Sequence, residues 1–165
     1  IPRQFRKNRI QWFGCVGYDY RDKGKKISLH FNNADKSGLS PLSRERLPAR
    51  EEELAKMFGC IREKHPSASI VEGHSWLYNY DAYRRMYPEA FTMNMNGVGE
   101  MPTRYRSVWG QFERHNGKFN EPRADEFRTR LKKASTLEEI DHAFPLRVLQ
   151  PLGPIRDFYV RYGIL

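Results

Sequence analysis

One amphipathic helix set between two strand patterns constrains this chain more than any other feature of its sequence. From Pro48 to Lys64 the apolar residues Leu54, Met57, Phe58 and Ile61 recur at i, i+3, i+4 and i+7, a stripe that has to be covered. Before it, "KKISLHFNN" at 25–33 alternates, with Ile27, Leu29 and Phe31 on one side and Ser28, His30 and Asn32 on the other. After it, "KHPSAS" stops the helix, because a residue before proline avoids the α region. "ASIV" at 68–71 then reads as a short buried strand. Strand, helix and strand in that order predict a crossover and a sheet with helices packed on it.

The flanking segments extend this pattern. Residues 9–18, "RIQWFGCVGY", are apolar and β-prone, and Asp22 and Gly24 supply turn chemistry before the next strand, so the chain opens on a hairpin. Ser40-Pro41 begins a helical turn that Pro48 restarts. A short helix is expected around Asp81–Met86, ended by Pro88. "AFTMNMNGV" alternates like a strand, Phe91, Met93 and Met95 against Thr92, Asn94 and Asn96. "GVGEMPTR" reads as a flexible loop, and "YRSVWGQFER" as a strand, with a helix as the open alternative.

The last third turns helical: Arg123–Lys133 with Phe127 and Leu131 at i and i+4, a capping box at Thr136–Glu139 that turns Leu137 and Ile140 inward, and a terminal helix from Pro154 to Gly163. The expected architecture is a single α/β domain over 1–165, with α+β as the alternative. It has a mixed sheet starting with a hairpin, a helical C-terminal third and a basic, flexible segment at 1–8.

Composition adds limits. Hydrophobic residues at 39% and aromatics at 13% suffice for one packed core in 165 residues. No apolar run approaches the ~18 residues of a membrane span, and no signal-like start is visible, so a soluble, cytoplasmic protein is expected. Cys15 and Cys60 read as reduced thiols. The net charge of +9 is uneven, and Arg3, Arg6, Lys7 and Arg9 stand without any acid in the first eighteen residues. Such an end attracts anions, nucleic acid among them. Trp12, Phe13 and Tyr18 beside it could stack on single strands.

Chemistry-bearing motifs are sparse. "GHSWL" at 73–77 is half of a G-x-S-x-G nucleophile elbow, with Leu77 where the last glycine belongs; this makes Ser75 a candidate nucleophile, against the simpler role of a cap. His30, His65, His74, His115 and His142 show no metal-ligand spacing, so no metal site is expected. No phosphate-binding glycine loop is present either, and no cofactor can be named.

The stronger expectation is a cleft where strand ends meet. It would be walled by Trp76 and Trp109, with Asn32, Asn79 and Gln111 as hydrogen-bonding groups, Arg84 as anion partner, and His74 or His30 as the acid–base group. Tyr80, Tyr83 and Tyr87, at i, i+3 and i+7, read as core before ligand wall.

"SWLYNYDAYRRMYP", "WGQF", "FPLRVL" and "IRDFYVRYG" together resemble a family of uncharacterised bacterial proteins, from about Ser40 to Tyr162, a resemblance that implies no activity. The order "SPLSRERL", "ELAKMFGCIREKHP", "SWL" is similar to the C-terminal portion of acyltransferase-like proteins, with "KHP" where those have Phe-Pro and without their later "SNI". That resemblance implies that strand, Ser-Trp-Leu and helix form one structural unit. The functional expectation is a domain binding a small anionic ligand, acyl- or phosphate-bearing, and acting as a transferase if it is an enzyme. The alternatives are a nucleic-acid-binding module using the basic hairpin, or a structural domain docking a partner through Phe158 and Tyr162.

Overall fold

Glycine at 14 divides the first apolar stretch. The computed structural model describes residues 10–93, 95–97 and 106–165. In it the strand expected over 9–18 is two, β1 (Gln11–Phe13) and β2 (Val16–Arg21), antiparallel and joined through Gly14 at φ +71°. A side chain at that position would be strained, and it would also run into Glu53, whose carboxylate accepts the Cys15 N–H at 3.1 Å. The expected turn follows, with Lys25 N–H bonded to the Asp22 carbonyl at 3.0 Å and Gly24 at φ +91°. It leads into β3 (Lys26–Phe31), antiparallel to β2.

A 3-10 turn at Arg44–Arg46 runs into α1 (Leu47–Lys64), which ends before Pro66 as the sequence requires. The chain re-enters the sheet as β4 (Ile70–Gly73), parallel to β3 from Lys26–Ile70 to Leu29–Gly73. A 3-10 turn at Trp76–Asn79, α2 (Asp81–Arg84) and α3 (Glu89–Met93) follow. Next come β5 (Asn96–Gly97), a 3-10 helix at Arg106–Phe112, α4 (Glu121–Leu131) and α5 (Leu137–His142). Then β6 (Leu149–Gln150) pairs with β5, and β7 (Leu152–Pro154) closes the main sheet against β4 before α6 (Ile155–Arg161). The main sheet has five strands among the described residues, in the order β1-β2-β3-β4-β7, so the fold is mixed α/β with a helical C-terminal part.

The helical stripe goes where its period sends it. Leu54, Met57, Phe58 and Ile61 pack on Val16, Tyr18, Ile27, Leu29 and Val71 from one face of the sheet. Each such side chain contributes roughly 1.5–3 kcal/mol of apolar burial. The Phe58 ring stacks on Phe158 at 4.8 Å, which ties α6 to α1. Tyr83 and Tyr87 are core, as their spacing implies, and burial holds the Tyr83 phenol up at about 12. Phe112, Phe127 and Phe144 form a smaller cluster with Val108, Ala124 and Val148.

Four expectations change. "AFTM" is the helix α3, not a strand: Phe91 is buried and Met93 is 71% exposed, which one strand face could not give. "RSVWGQF" is helical, the alternative left open. Leu137 is exposed although its capping box forms as expected. Phe158 is wholly buried and the Tyr162 hydroxyl donates to the Met86 carbonyl at 2.6 Å, so these residues close the core and offer no patch for a partner. "VGEMPTR" and Arg3, Arg6, Lys7 and Arg9 lie outside the described residues.

Candidate functional site

β3 and β4 travel together only to the Leu29–Gly73 pair. Beyond it β3 stays with β2, where Val16 faces Phe31 and Asn32 N–H bonds the Cys15 carbonyl at 2.9 Å. The other strand leaves for the C-terminal segment: Ser75 and Leu149 exchange two backbone bonds of 3.1 Å. The Asn32 amide faces β2, so by alternation the Phe31 N–H and C=O point the other way, into the space opened by the parting strands.

A cleft of about 600 Å³ fills that space. Phe31, Pro41, Leu42, Trp76, Leu77 and Tyr80 give it an apolar wall, and Asn32, Asn33, Arg114, His115, Asn116 and Asn120 give it a polar one. Three ties hold the walls. The Trp76 indole N–H bonds the Ser107 carbonyl at 2.8 Å, and Asn33 Nδ2 bonds the His115 carbonyl at 2.6 Å. The third lies below the 32–43 loop, where the buried Arg50 guanidinium bonds Asp35 at 3.1 Å, Glu53 at 2.8 Å and the Cys15 sulfur at 2.8 Å. The Asp35 carboxyl is held low by hydrogen bonds from Ser37 and from Arg46.

The residues expected at the site separate into three groups. Asn32, Ser75, Trp76 and Gln111 line the cleft. Two of these are already committed. Gln111 is buried, with its amide bonded to the carbonyls of Val108 and Leu146 and the Leu146 N–H, and Ser75 Oγ accepts the Leu77 N–H at 3.1 Å as a cap.

His30 and His74 stand on the adjoining polar face of the sheet. Asn79, Arg84 and Trp109 are elsewhere. Asn79 spends its amide on the Trp76 and Arg147 carbonyls. Trp109 faces the smaller aromatic cluster, 5.0 Å from Phe144. Arg84 lies in a second hollow of about 490 Å³ with Arg85, Arg161 and Asp81, and is paired with Asp81. The cleft residues that sequence reading missed, Asn33, Pro41, Leu42, Arg114 and Asn120, come from separate loops that share no local pattern.

The polar face is the other side of β2, β3 and β4. Asp19 is 6% exposed and Glu72 3%, under Arg21, Lys26 and His30. His30 Nε2 lies 2.8 Å from Asp19 Oδ2, and Ser28 Oγ donates to Glu72 Oε1 at 2.8 Å. Burial pushes the Asp19 carboxyl up, but the bonds and charges of His30 and Arg21 outweigh it and leave it below the ordinary value. Burial lowers the His74 imidazole; Glu72 opposes this, while Arg21, Lys26 and His30 add to it. Among the described residues no group of three or more His, Cys, Asp or Glu side chains is placed to hold a metal ion, and no helix is long and apolar enough to cross a membrane. Cys15 and Cys60 are free thiols.

No family model and no curated protein matches the sequence, so the resemblance to uncharacterised bacterial proteins rests on its own segments. Among solved structures the chain is similar to a mutant acyltransferase in complex with octanoyl-CoA. The TM-score is 0.43 and the identity 12%, over 88% of this chain. The chain spans 46% of that protein's length. A likeness of that size identifies no activity, and the geometry of the cleft is the better guide to function.

Proposed function

We propose that the chain binds a small ligand in the cleft between the parted strands, a ligand with an apolar arm such as an acyl chain and a polar or anionic head. The observation that supports this is the parting of β3 and β4 into a hollow that is apolar on one side and polar on the other. A hollow with an apolar wall facing a few convergent polar groups is the usual form of a small-ligand site. The backbone of Phe31 offers a strand edge to an amide-bearing ligand, Trp76 and Leu77 flank its apolar portion, and Arg114 with the asparagines meets its head. An acyl arm suits the apolar wall better than a second phosphate would, since Arg114 is the one fixed cation among the described lining residues and Glu113 beside it carries the opposite charge.

Trp12 and Trp109 are exposed and lie outside the cleft lining, so the Trp12→Phe, Trp109→Phe double variant leaves Trp76 as the sole indole reporter. Titrating it with acyl-CoA esters, nucleotides and phosphosugars should give saturable quenching by the acyl esters, stronger with longer chains. Saturation by none of them below about 1 mM, where binding free energy falls to about −4 kcal/mol, rejects the cleft as a ligand site.

For the nucleic-acid alternative, Arg21 and Lys26 of the hairpin are engaged by Glu72 at 3.5 Å and Lys23 and Lys25 are exposed on its turn, while Arg3, Arg6, Lys7 and Arg9 lie outside the described residues.

A further inference from the structure

Two histidines are the first residues past the end of the β3–β4 ladder. Leu29 and Gly73 are the last pair in register, so His30 and His74 come next on their respective strands. Side-chain alternation sends both to the polar face: Leu29 is in the core, and a Cβ on Gly73 would point at the core residue Tyr78. They are close enough for the charge of one to bear on the other. Each has a buried carboxylate beside it, Asp19 for His30 and Glu72 for His74. The cleft reaches this face, since both Phe31 and Asn32, which point to opposite sides of the strand, line it. Asn32 is one strand repeat from His30, about 6.6–6.8 Å along the chain.

We propose that His30 and His74 are the acid–base pair of an acyl-transfer reaction carried out at the mouth of this gap. The inference rests on the reading of the cleft as an acyl-ligand site. The cleft holds an acyl ester or thioester, and a hydroxyl or amine acceptor approaches over the polar face. His74, neutral, takes the proton of the attacking oxygen or nitrogen as that atom bonds to the carbonyl carbon. The bond from that carbon to the donor oxygen or sulfur breaks, its electron pair leaving with the heteroatom, and His30, bonded to Asp19, gives that atom a proton. One proton has passed from His30 to His74, and solvent returns both to their starting states.

Division of labour follows from surroundings. His74 is pushed toward its neutral form by burial and by Arg21, Lys26 and His30, while Glu72 pulls the other way. His30 is positioned by the Asp19 carboxylate at 2.8 Å, with Trp12 flanking it at 6.4 Å between ring centroids. Neither histidine has a motif spacing that would expose this role; only the point where the parallel ladder ends sets both beside the gap.

The test uses butyryl-CoA as donor and hydroxylamine as acceptor, reading release of the CoA thiol across pH 5 to 9, on wild type and on the His30→Asn and His74→Asn variants. Wild type should release thiol above background with a bell-shaped pH profile, and each variant should lose about 10²–10⁴-fold, the usual worth of a positioned acid or base. Donor binding is followed in parallel by Trp76 quenching. Binding with no release in wild type, or release that the variants keep, overturns the acid–base pair and leaves the cleft standing. Absence of quenching removes the cleft reading itself. His30→Gln and His74→Gln, checked by circular dichroism, replace any asparagine variant that fails to fold; Asp19→Asn should shift the alkaline limb of the profile, the one set by the proton donor, without abolishing binding.

Discussion

A methyl group on Gly73 would collide with the Tyr78 hydroxyl, itself wholly buried among Tyr83, Tyr87 and Phe91. Gly73→Ala should therefore lower stability by about 1–3 kcal/mol through overpacking, seen as a lower urea midpoint at an unchanged slope. The histidines set a pH dependence. His74 is depressed from 6.5 by burial first, and His65 by burial and by Lys64. The unfolded chain thus binds more protons just below pH 6.5, and stability falls as pH drops from 6.5 toward the folded values. Asp19, whose folded value lies below 3.8, contributes stability above that pH and loses it further into acid. Urea midpoints from pH 7.5 to 5 should fall, and His74→Asn should flatten part of that slope, His65 contributing to the rest. A slope unchanged by His74→Asn would contradict the burial argument. None of this was legible from residue type: the sequence places His30 on a polar strand face, but only pairing with β2 shows that Asp19 lies beneath it.

Helices and strands differ in how plainly the sequence announces them. The α1 stripe was legible because four apolar residues at helical spacing admit one solution, and all four are buried. "AFTMNM" was not, because a five-residue helix is shorter than two turns and its apolar residues match a period of two equally well; Pro88, placed before it, was the better signal. The first strand was divided by Gly14, a residue whose positive φ no pattern of hydrophobicity reports. Two substitutions test how the elements are joined. Phe158→Ala removes the stack on Phe58 and should cost about 3–5 kcal/mol, with α6 losing amide protection first in hydrogen exchange. Arg50→Met leaves Asp35 and Glu53 without their shared cation and should cost about 3–5 kcal/mol, accompanied by weaker ligand binding because the 32–43 loop is one wall of the cleft.

At the scale of the whole molecule, a ligand that prefers the folded chain must raise its melting temperature with concentration. A free concentration of 100 Kd corresponds to about 2.7 kcal/mol, enough for a shift of several degrees at this size. That shift should be reduced in Trp76→Ala and unaffected in Trp109→Ala, since Trp109 belongs to the other aromatic cluster; equal loss in both would place the binding surface elsewhere. How far the site could be foreseen follows from the same geometry. Asn32 and Trp76 sit at strand ends, where alternation and turns leave a local trace, whereas Arg114 and Asn120 arrive from loops far along the chain. The exchange of bonds between Ser75 and Leu149 has an evolutionary reading. The aperture is set by a C-terminal strap rather than by the sheet, so insertions or swaps near residues 145–150 could widen or narrow it while the central strands stay untouched. Descendants of one scaffold could diverge in the guests they admit without relearning how to fold.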